Sequence, residues 1–263
     1  MIHPTAIVSP QAEIGSNVEI GPFTIVEANV KIADGCQIGA HVTLAAGTIL
    51  HKDVKVFNGA VLATIPQDLK FAGEITTLEI GERTVIREFA TLNRGTTYSY
   101  NTKIGSDCLV MAYCHVAHDC QIGNHVIMAN NATLAGHIEV GDWVNISGLV
   151  PVHQFVKIGS HSFVGGGFRV PKDVPPYIKA MGEPLRFAGI NSVGLKRRGF
   201  SPEAVQNIAD AYRILYRSGM NISEAVVKLE AELGELQEIK LIIDFVKDSL
   251  GSAHPRGLIG CGK

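Results

Sequence analysis

The sequence predicts a mainly β fold in which the first two thirds of the chain winds as a regular coil and the rest forms a small α-helical domain. Three observations carry this reading. Every residue whose number leaves remainder two on division by six falls into one class: 29 such positions run from Ile2 to Val170, and 26 of them hold Ile, Val, Leu or Met. Apolar spacings of three and four would mark a helix, and alternation by two a lone strand, so a strict six sustained this long belongs to a repeating coil. The residue four places later is usually small or β-branched, as in Ala6, Ala12, Val18, Thr24, Val30 and Cys36, which marks a second, narrower inward slot. Past Val170 the period stops and helical signals begin.

Glycine often follows the apolar residue, as at Gly15, Gly21, Gly39, Gly81, Gly105, Gly123, Gly141 and Gly159. The pattern is similar to that of hexapeptide-repeat proteins, and this resemblance implies a left-handed parallel β-helix of triangular section with three hexads per coil. Twenty-nine hexads then give about ten coils, a prism roughly 45 Å long at the parallel-strand spacing. Asp68, Glu74 and Tyr98 break the run, so the chain is expected to leave the prism over residues 63–79 and 95–102. Loops on a rigid scaffold commonly carry function, which makes both excursions candidates for substrate contact. Cys36, Cys108, Cys114 and Cys120 occupy the small inward slot and read as buried thiols, while Cys261 in the tail reads as incidental.

The expected organisation is a coil over residues 1–172 and a C-terminal segment with helices over 173–263. Ser201 is a candidate N-cap with Pro202 in the first turn, and Val205, Ile208, Ala209, Tyr212, Leu215 and Tyr216 form an apolar stripe stopped by Gly219. A second helix is expected from about Ser223 to Leu233, stopped by Gly234. A third is expected from about Leu236 to Leu250, stopped by Gly251.

The 263 residues are 46% hydrophobic and 18% charged with a formal net charge of -2. That excludes disorder for most of the chain and any global cationic field for nucleic acid. The apolar runs are too short for stable membrane insertion, and the start Met1-Ile2-His3-Pro4 lacks a signal-peptide pattern. Five cysteines without a CxxC pair fit a reducing compartment, so the chain reads as cytoplasmic.

Eighteen residues per coil turn residue numbers into neighbours. Asp119 and His137 share a column, His118 is one column away, and His153 lies in the coil beyond. All four gather along one edge within about 10 Å, with His115 just upstream. His125 and His161 stack on a different edge. The cluster allows two chemistries: a general base whose imidazole is oriented by a carboxylate, or a divalent metal held by three imidazoles. The second would fit the γ-class carbonic anhydrases, which use this fold with zinc; those chains are shorter and lack a helical C-terminal domain.

His115-Val116-Ala117-His118-Asp119-Cys120, Asn130-Asn131-Ala132-Thr133-Leu134-Ala135-Gly136-His137 and Val152-His153-Gln154-Phe155 together resemble the UDP-N-acetylglucosamine acyltransferases that open lipid A synthesis. Gln67-Asp68-Leu69-Lys70-Phe71-Ala72-Gly73-Glu74 and Gly194-Leu195-Lys196-Arg197-Arg198-Gly199-Phe200 match as well. The resemblance spans nearly the whole chain. It implies cofactor-free transfer of an (R)-3-hydroxyacyl group from acyl carrier protein to the 3-hydroxyl of UDP-N-acetylglucosamine, without a covalent acyl-enzyme.

By that resemblance His118 would be the general base, Asp119 its partner and the Gly136 N–H an oxyanion donor, with no metal. Asp68 and Lys70 would contact the sugar and acyl-hydroxyl region, with Gln67 and His115 among the substrate-binding residues. His137, His153 and Gln154 would line the nucleotide-sugar site. Asn191 and Arg198 would reach the nucleotide, Arg198 at phosphate, and Arg197 would be a further substrate-binding residue. Two departures stand out. Val193 replaces an acidic residue of some relatives, and Asn93 replaces a His before Arg-Gly-Thr. Gly166 stands where relatives accepting short chains carry Met, which implies a chain of about fourteen carbons or more.

The family builds its sites between parallel prisms, so a homotrimer is expected. Rival functions are a sister UDP-sugar N-acyltransferase, which would normally carry an extra N-terminal domain, a zinc hydratase, and a non-catalytic module that binds carrier protein.

Overall fold

The computed structural model describes residues 1–261. Each hexad becomes a short strand and a turn, as at Glu19–Ile20 and Gln121–Ile122. The strands stack into three sheets of eight, eight and eleven, and successive coil strands within a sheet are three apart in the chain. This is a left-handed parallel β-helix with three faces. Register is exact to the residue: Ile122 lies opposite Val140, and Val140 opposite Ile158. All three point inward and are buried, each contributing roughly 1.5–3 kcal/mol over an exposed side chain.

Between faces the chain turns through a residue in the left-handed region. These corners recur every six residues, from Asn17, Phe23 and Asn29 through Asp119, His125, Asn131 and His137 to His161, and the non-glycine residues of positive φ span 55° to 66°. Asn, Asp and His enter this region at least cost. The coil therefore favours, at its corners, residue types that also perform acid–base chemistry. Just after each inward residue the coils touch: a Cβ on Gly81 would lie 2.5 Å from the Gly105 carbonyl carbon, so no side chain fits.

The two register breaks are insertions of whole hexads. Leu62 pairs back with Leu44 but forward with Leu92, and Ile80 pairs forward with Ile104. Two extra hexads lie between Val61–Thr64 and Thr77–Ile80, and one between Thr91–Asn93 and Asn101–Ile104. Because six divides both insertions, the numbering survives and Asp68, Glu74 and Tyr98 fall in loops. With three hexads outside the prism, the coils number nearer nine than ten. The excursions are also shorter than expected, since Asn101 and Thr102 pair with Thr77 and Leu78 as strand.

Beyond Val170, strand Ile178–Met181 joins the third sheet in parallel and Arg186–Ile190 adds to it antiparallel. Four helices follow: α1 (Ser192–Arg197), α2 (Pro202–Arg217), α3 (Ile222–Leu233) and α4 (Gln237–Gly251). Ser201 caps α2, with Oγ accepting from Ala204 N, and Asn221 with Glu224 forms a capping box on α3. The three longer helices match the sequence reading to within a residue, although Gly251 sits inside α4 instead of past its end.

The tail corrects one expectation. Cys261 pairs opposite Phe187 and its Sγ donates to the Tyr216 carbonyl, so it belongs to the strand that closes the third sheet. Cys36, Cys108, Cys114 and Cys120 are buried as expected, and burial pushes the Cys108 and Cys114 thiols up to about 11. Among the described residues no helix is long and apolar enough to cross a membrane.

Candidate active site

Strand His115–Val116 leads into a corner where Asp119 takes the left-handed conformation. There His118 and Asp119 point to the same side of the chain, with His118 Nδ1 2.8 Å from Asp119 Oδ2. An ionised carboxylate only accepts, so the proton of this bond sits on Nδ1 and Nε2 keeps its lone pair. Asp119 is held by the second loop. Thr96 N and Ser99 Oγ donate to Oδ1 at 3.0 and 2.6 Å, Thr96 Oγ1 donates to Oδ2 at 2.7 Å, and Ser99 N adds a bond of 3.2 Å. Burial alone would raise its pKa, but bonds from His118, Ser99 and Thr96 outweigh burial and hold the carboxyl well below the usual range.

The His118 ring lies directly against Gly136. A Cβ there would sit 2.6 Å from His118 Cε1 and 2.8 Å from Nε2, so the ring position requires glycine. The Gly136 N–H is also unusual. At the equivalent positions Ser16, Ala40, Ser106 and Asn124, the N–H donates to the side chain one coil on, at Asp34, Asn58, Asn124 and Asp142. The matching side chain for Gly136 is Gln154, which is exposed, and among the described residues no acceptor takes the Gly136 N–H.

His137 stands edge-on to His118 at 4.9 Å between ring centroids and stacks on Phe155 at 4.4 Å. Its Nδ1 is buried without a partner, 3.7 Å from Asp119 Oδ2, and burial pushes its pKa down. Tyr98, from the second loop, packs against His137 at 4.5 Å. His115 bonds Thr91 Oγ1 through Nδ1 at 2.8 Å, and burial lowers its pKa as well. His153 is exposed, with Nδ1 donating to the Gln154 carbonyl at 3.2 Å. Among the described residues, the group near enough to share an ion is His118, Asp119 and His137, within 4.8 Å of one another. The three-imidazole alternative finds two imidazoles and a carboxylate instead, and His153 is not part of that group.

Of the remaining expected residues, Asp68 lies near enough to His137 to act on it electrostatically, whereas those of the C-terminal region lie on another edge of the same chain. Asp68 is half-buried in the first loop, with Oδ1 accepting from Lys70 N at 3.0 Å, and Gln67 and Lys70 are exposed. Arg198 lies over the Trp143 ring at 5.4 Å, on the edge formed by His125, Trp143 and His161. Its Nη1 is buried without a partner. Arg197 lines the same cleft of about 630 Å³ beside Leu109, Ile127, Asn145 and Phe163. Asn191 has its amide committed, with Nδ2 donating to the His161 carbonyl at 2.8 Å and Oδ1 capping α1 at Gly194 N. Gly166 lies at the third edge, where a Cβ would meet the Gly148 carbonyl oxygen at 3.3 Å and Ser147 Cβ at 3.6 Å.

Sequence reasoning missed Thr96, Ser99, Tyr98 and Phe155. The first three depend on how the second loop folds back, which no periodicity encodes. Phe155 was accessible, since it follows Asp119 and His137 in the same column.

Coil, corner and helical tail together define a hexapeptide-repeat transferase. Residues 101–136 match the bacterial transferase hexapeptide model, and residues 173–259 match the model described as UDP N-acetylglucosamine O-acyltransferase, domain 2. The chain is 47% identical over 246 residues to the acyl-[acyl-carrier-protein]–UDP-N-acetylglucosamine O-acyltransferase of Thiobacillus denitrificans, covering 93% of this chain and 95% of that one. The Myxococcus xanthus protein of the same name is 45% identical, covering 94% and 96%. The solved UDP-N-acetylglucosamine acyltransferase of Bacteroides fragilis superposes with a TM-score of 0.93 at 44% identity and full coverage of both chains. That of Francisella novicida gives 0.94 at 33%, covering 99% and 94%. The chain belongs to the UDP-N-acetylglucosamine O-acyltransferase family.

Proposed function

We propose that the corner at His118 catalyses transfer of an (R)-3-hydroxyacyl group from acyl carrier protein to the 3-hydroxyl of UDP-N-acetylglucosamine, the reaction that opens lipid A synthesis. The observation that carries this reading is the pairing of a free imidazole Nε2 with an uncommitted backbone N–H beside it. His118 Nε2 takes the proton of the sugar hydroxyl as its oxygen attacks the thioester carbonyl. The oxyanion of the tetrahedral intermediate accepts from Gly136 N–H. On collapse the C–S bond breaks and the thiolate of the carrier's arm recovers the proton from His118, so acid, base and charge balance without a cofactor. Asp119 stays ionised and stabilises the imidazolium in between.

The metal alternative fits the donors poorly. Asp119 accepts five hydrogen bonds, counting the one from His118, and binding an ion would strip donors from a carboxylate that is already satisfied.

Separation of the expected residues over three edges supports a homotrimer in which the His118 edge of one chain meets the Asn191, Arg197 and Arg198 region of the next. Arg198 then supplies its unpaired guanidinium to the nucleotide phosphate, and the first loop brings Gln67, Asp68 and Lys70 over the sugar. His115, His137, His153 and Gln154 line the remainder of the site. We assign the coil to residues 1–172, the C-terminal unit to 173–263, and the protein to the cytoplasm. Mass spectrometry of the product formed from a mixed pool of acyl carrier proteins, with the trimer read by sedimentation, tests this. A product acylated elsewhere on the sugar, or a fully active monomer, overturns it.

A further inference from the structure

A second cluster lies one coil beyond His137, two beyond His118, and is built largely by the tail. After α4 the chain crosses the last coils, then is tied down by Asp173 N donating to the Gly257 carbonyl and Ile259 N donating to the Asp173 carbonyl. The short stretch between carries His254 and Arg256. Arg256 Nε donates to the Gln154 carbonyl at 2.8 Å, the same oxygen that accepts from His153 Nδ1. The His254 ring packs on Phe155 at 4.1 Å, and Phe155 is stacked parallel to His137 to within 2°. Rings of His118, His137, Phe155 and His254 thus follow one another along a single edge.

This sets the His153 imidazole and the Arg256 guanidinium on one backbone carbonyl, with the His254 ring beside them on Phe155. Of the carboxylates near this edge, Asp119 bonds His118 and Glu183 pairs with Arg169, while Asp68 of the first loop acts on His137. Arg256 is half-buried, its Nε is fixed, and among the described residues the rest of its fork has no partner. A guanidinium oriented in this way matches a phosphate ester.

We propose that His254 and Arg256 form a phosphate-binding rim of the active site, so that the C-terminal tail contributes directly to substrate recognition. This rests on the His118 corner being the site. Two phosphate esters reach such a corner: the diphosphate of the nucleotide sugar and the phosphodiester of the carrier protein's prosthetic arm.

The test uses the full-length protein carrying Arg256→Gln, which can still donate to the Gln154 carbonyl but has lost the charge, together with His254→Ala. Steady-state constants are measured with carrier-bound donor and with an acyl-pantetheine thioester lacking phosphate. Arg256→Gln is expected to raise one KM roughly tenfold or more, with kcat within about twofold and the thermal midpoint unchanged. If the donor's phosphodiester is the ligand, the effect disappears with the unphosphorylated thioester. If the diphosphate is the ligand, the nucleotide-sugar KM rises with either donor. Wild-type KM values for both substrates, or a KM change only alongside a fallen thermal midpoint, overturn the proposal. His118→Ala is run in parallel: a wild-type rate there would dismiss the corner assignment and leave the Arg256 comparison readable on its own.

Discussion

Two edges of the same prism, whose corners alternate every six residues along the chain, both carry histidines, and they differ in what surrounds them. Asp119 and His137 occupy corners of one, and His125, Trp143 and His161 occupy corners of the next. Backbone geometry is the same at both. On the first edge the second loop donates four hydrogen bonds to Asp119, and glycine at 136 lets the His118 ring lie flat against the chain. On the second, Trp143 stacks on His125 at 3.9 Å and Arg198 covers it. Burial, with Arg198 beside it, pushes His161 down to about 4, so that imidazole stays neutral near pH 7. A repeat thus supplies equivalent positions, and the insertions and the tail decide which of them does chemistry.

The comparison breaks first at His118. His118→Ala is expected to lower kcat by about 10²- to 10⁴-fold while binding of UDP-N-acetylglucosamine by calorimetry is largely kept. Unchanged turnover would erase the difference between the edges. Gly136→Ala comes next, since its Cβ meets the His118 ring at 2.6 Å; a loss of about 10²- to 10³-fold in kcat is expected with the thermal midpoint retained, and near-normal kcat would mean that the ring has freedom to move.

Gly166→Met sharpens the role of the third edge. Each buried methylene contributes roughly 0.8 kcal/mol, so blocking the groove should turn a preference for about fourteen carbons or more toward chains several carbons shorter, read by competing donors in one reaction. Persistence of the long-chain preference would remove Gly166 as the stop. Arg198→Ala should raise the KM for the nucleotide sugar about 10- to 100-fold and leave the donor's nearly unchanged; the reverse pattern would move Arg198 to the carrier-protein face.

The smallest effect concerns pH. Asp119 titrates below its unfolded value, so its contribution to stability is complete above the ordinary carboxylate range and is lost only as pH falls through the depressed folded value. Between pH 8 and 5 Asp119 stays charged, and any acidic fall in kcat/KM in that window reports histidine. Thr96→Val removes one donor and should raise the carboxyl's pKa, detectable by NMR titration of Asp119. No movement would show that Ser99 and His118 suffice.

Much of this was legible because a solenoid repeats its own evidence. The inward residues, the buried cysteines and the columns joining Asp119 to His137 follow from counting alone, and Asp68, Glu74 and Tyr98 mark the loops by failing to be apolar. What stayed hidden depends on irregular chain. The six residues of α1 are too few for a periodic stripe, so the capping role of Asn191 was not legible either. Arg186–Ile190 and Gly260–Cys261 form only because the tail returns to the sheet edge. The donors to Asp119 lie 20 and 23 residues upstream, across a loop whose path no pattern reports.

The whole-hexad insertions have one more consequence. A coil is a coordinate system in which each residue's address is an edge and a height, and a loop budding from a corner changes no address below it. Closing a longer loop costs little, about 0.6 kcal/mol per doubling of its length. A segment such as the one bearing Asp68 can therefore be lengthened, shortened or exchanged while the backbone positions of His118, His137 and Gly166 keep their mutual geometry. The architecture separates the part of the molecule that measures from the part that can be rewritten.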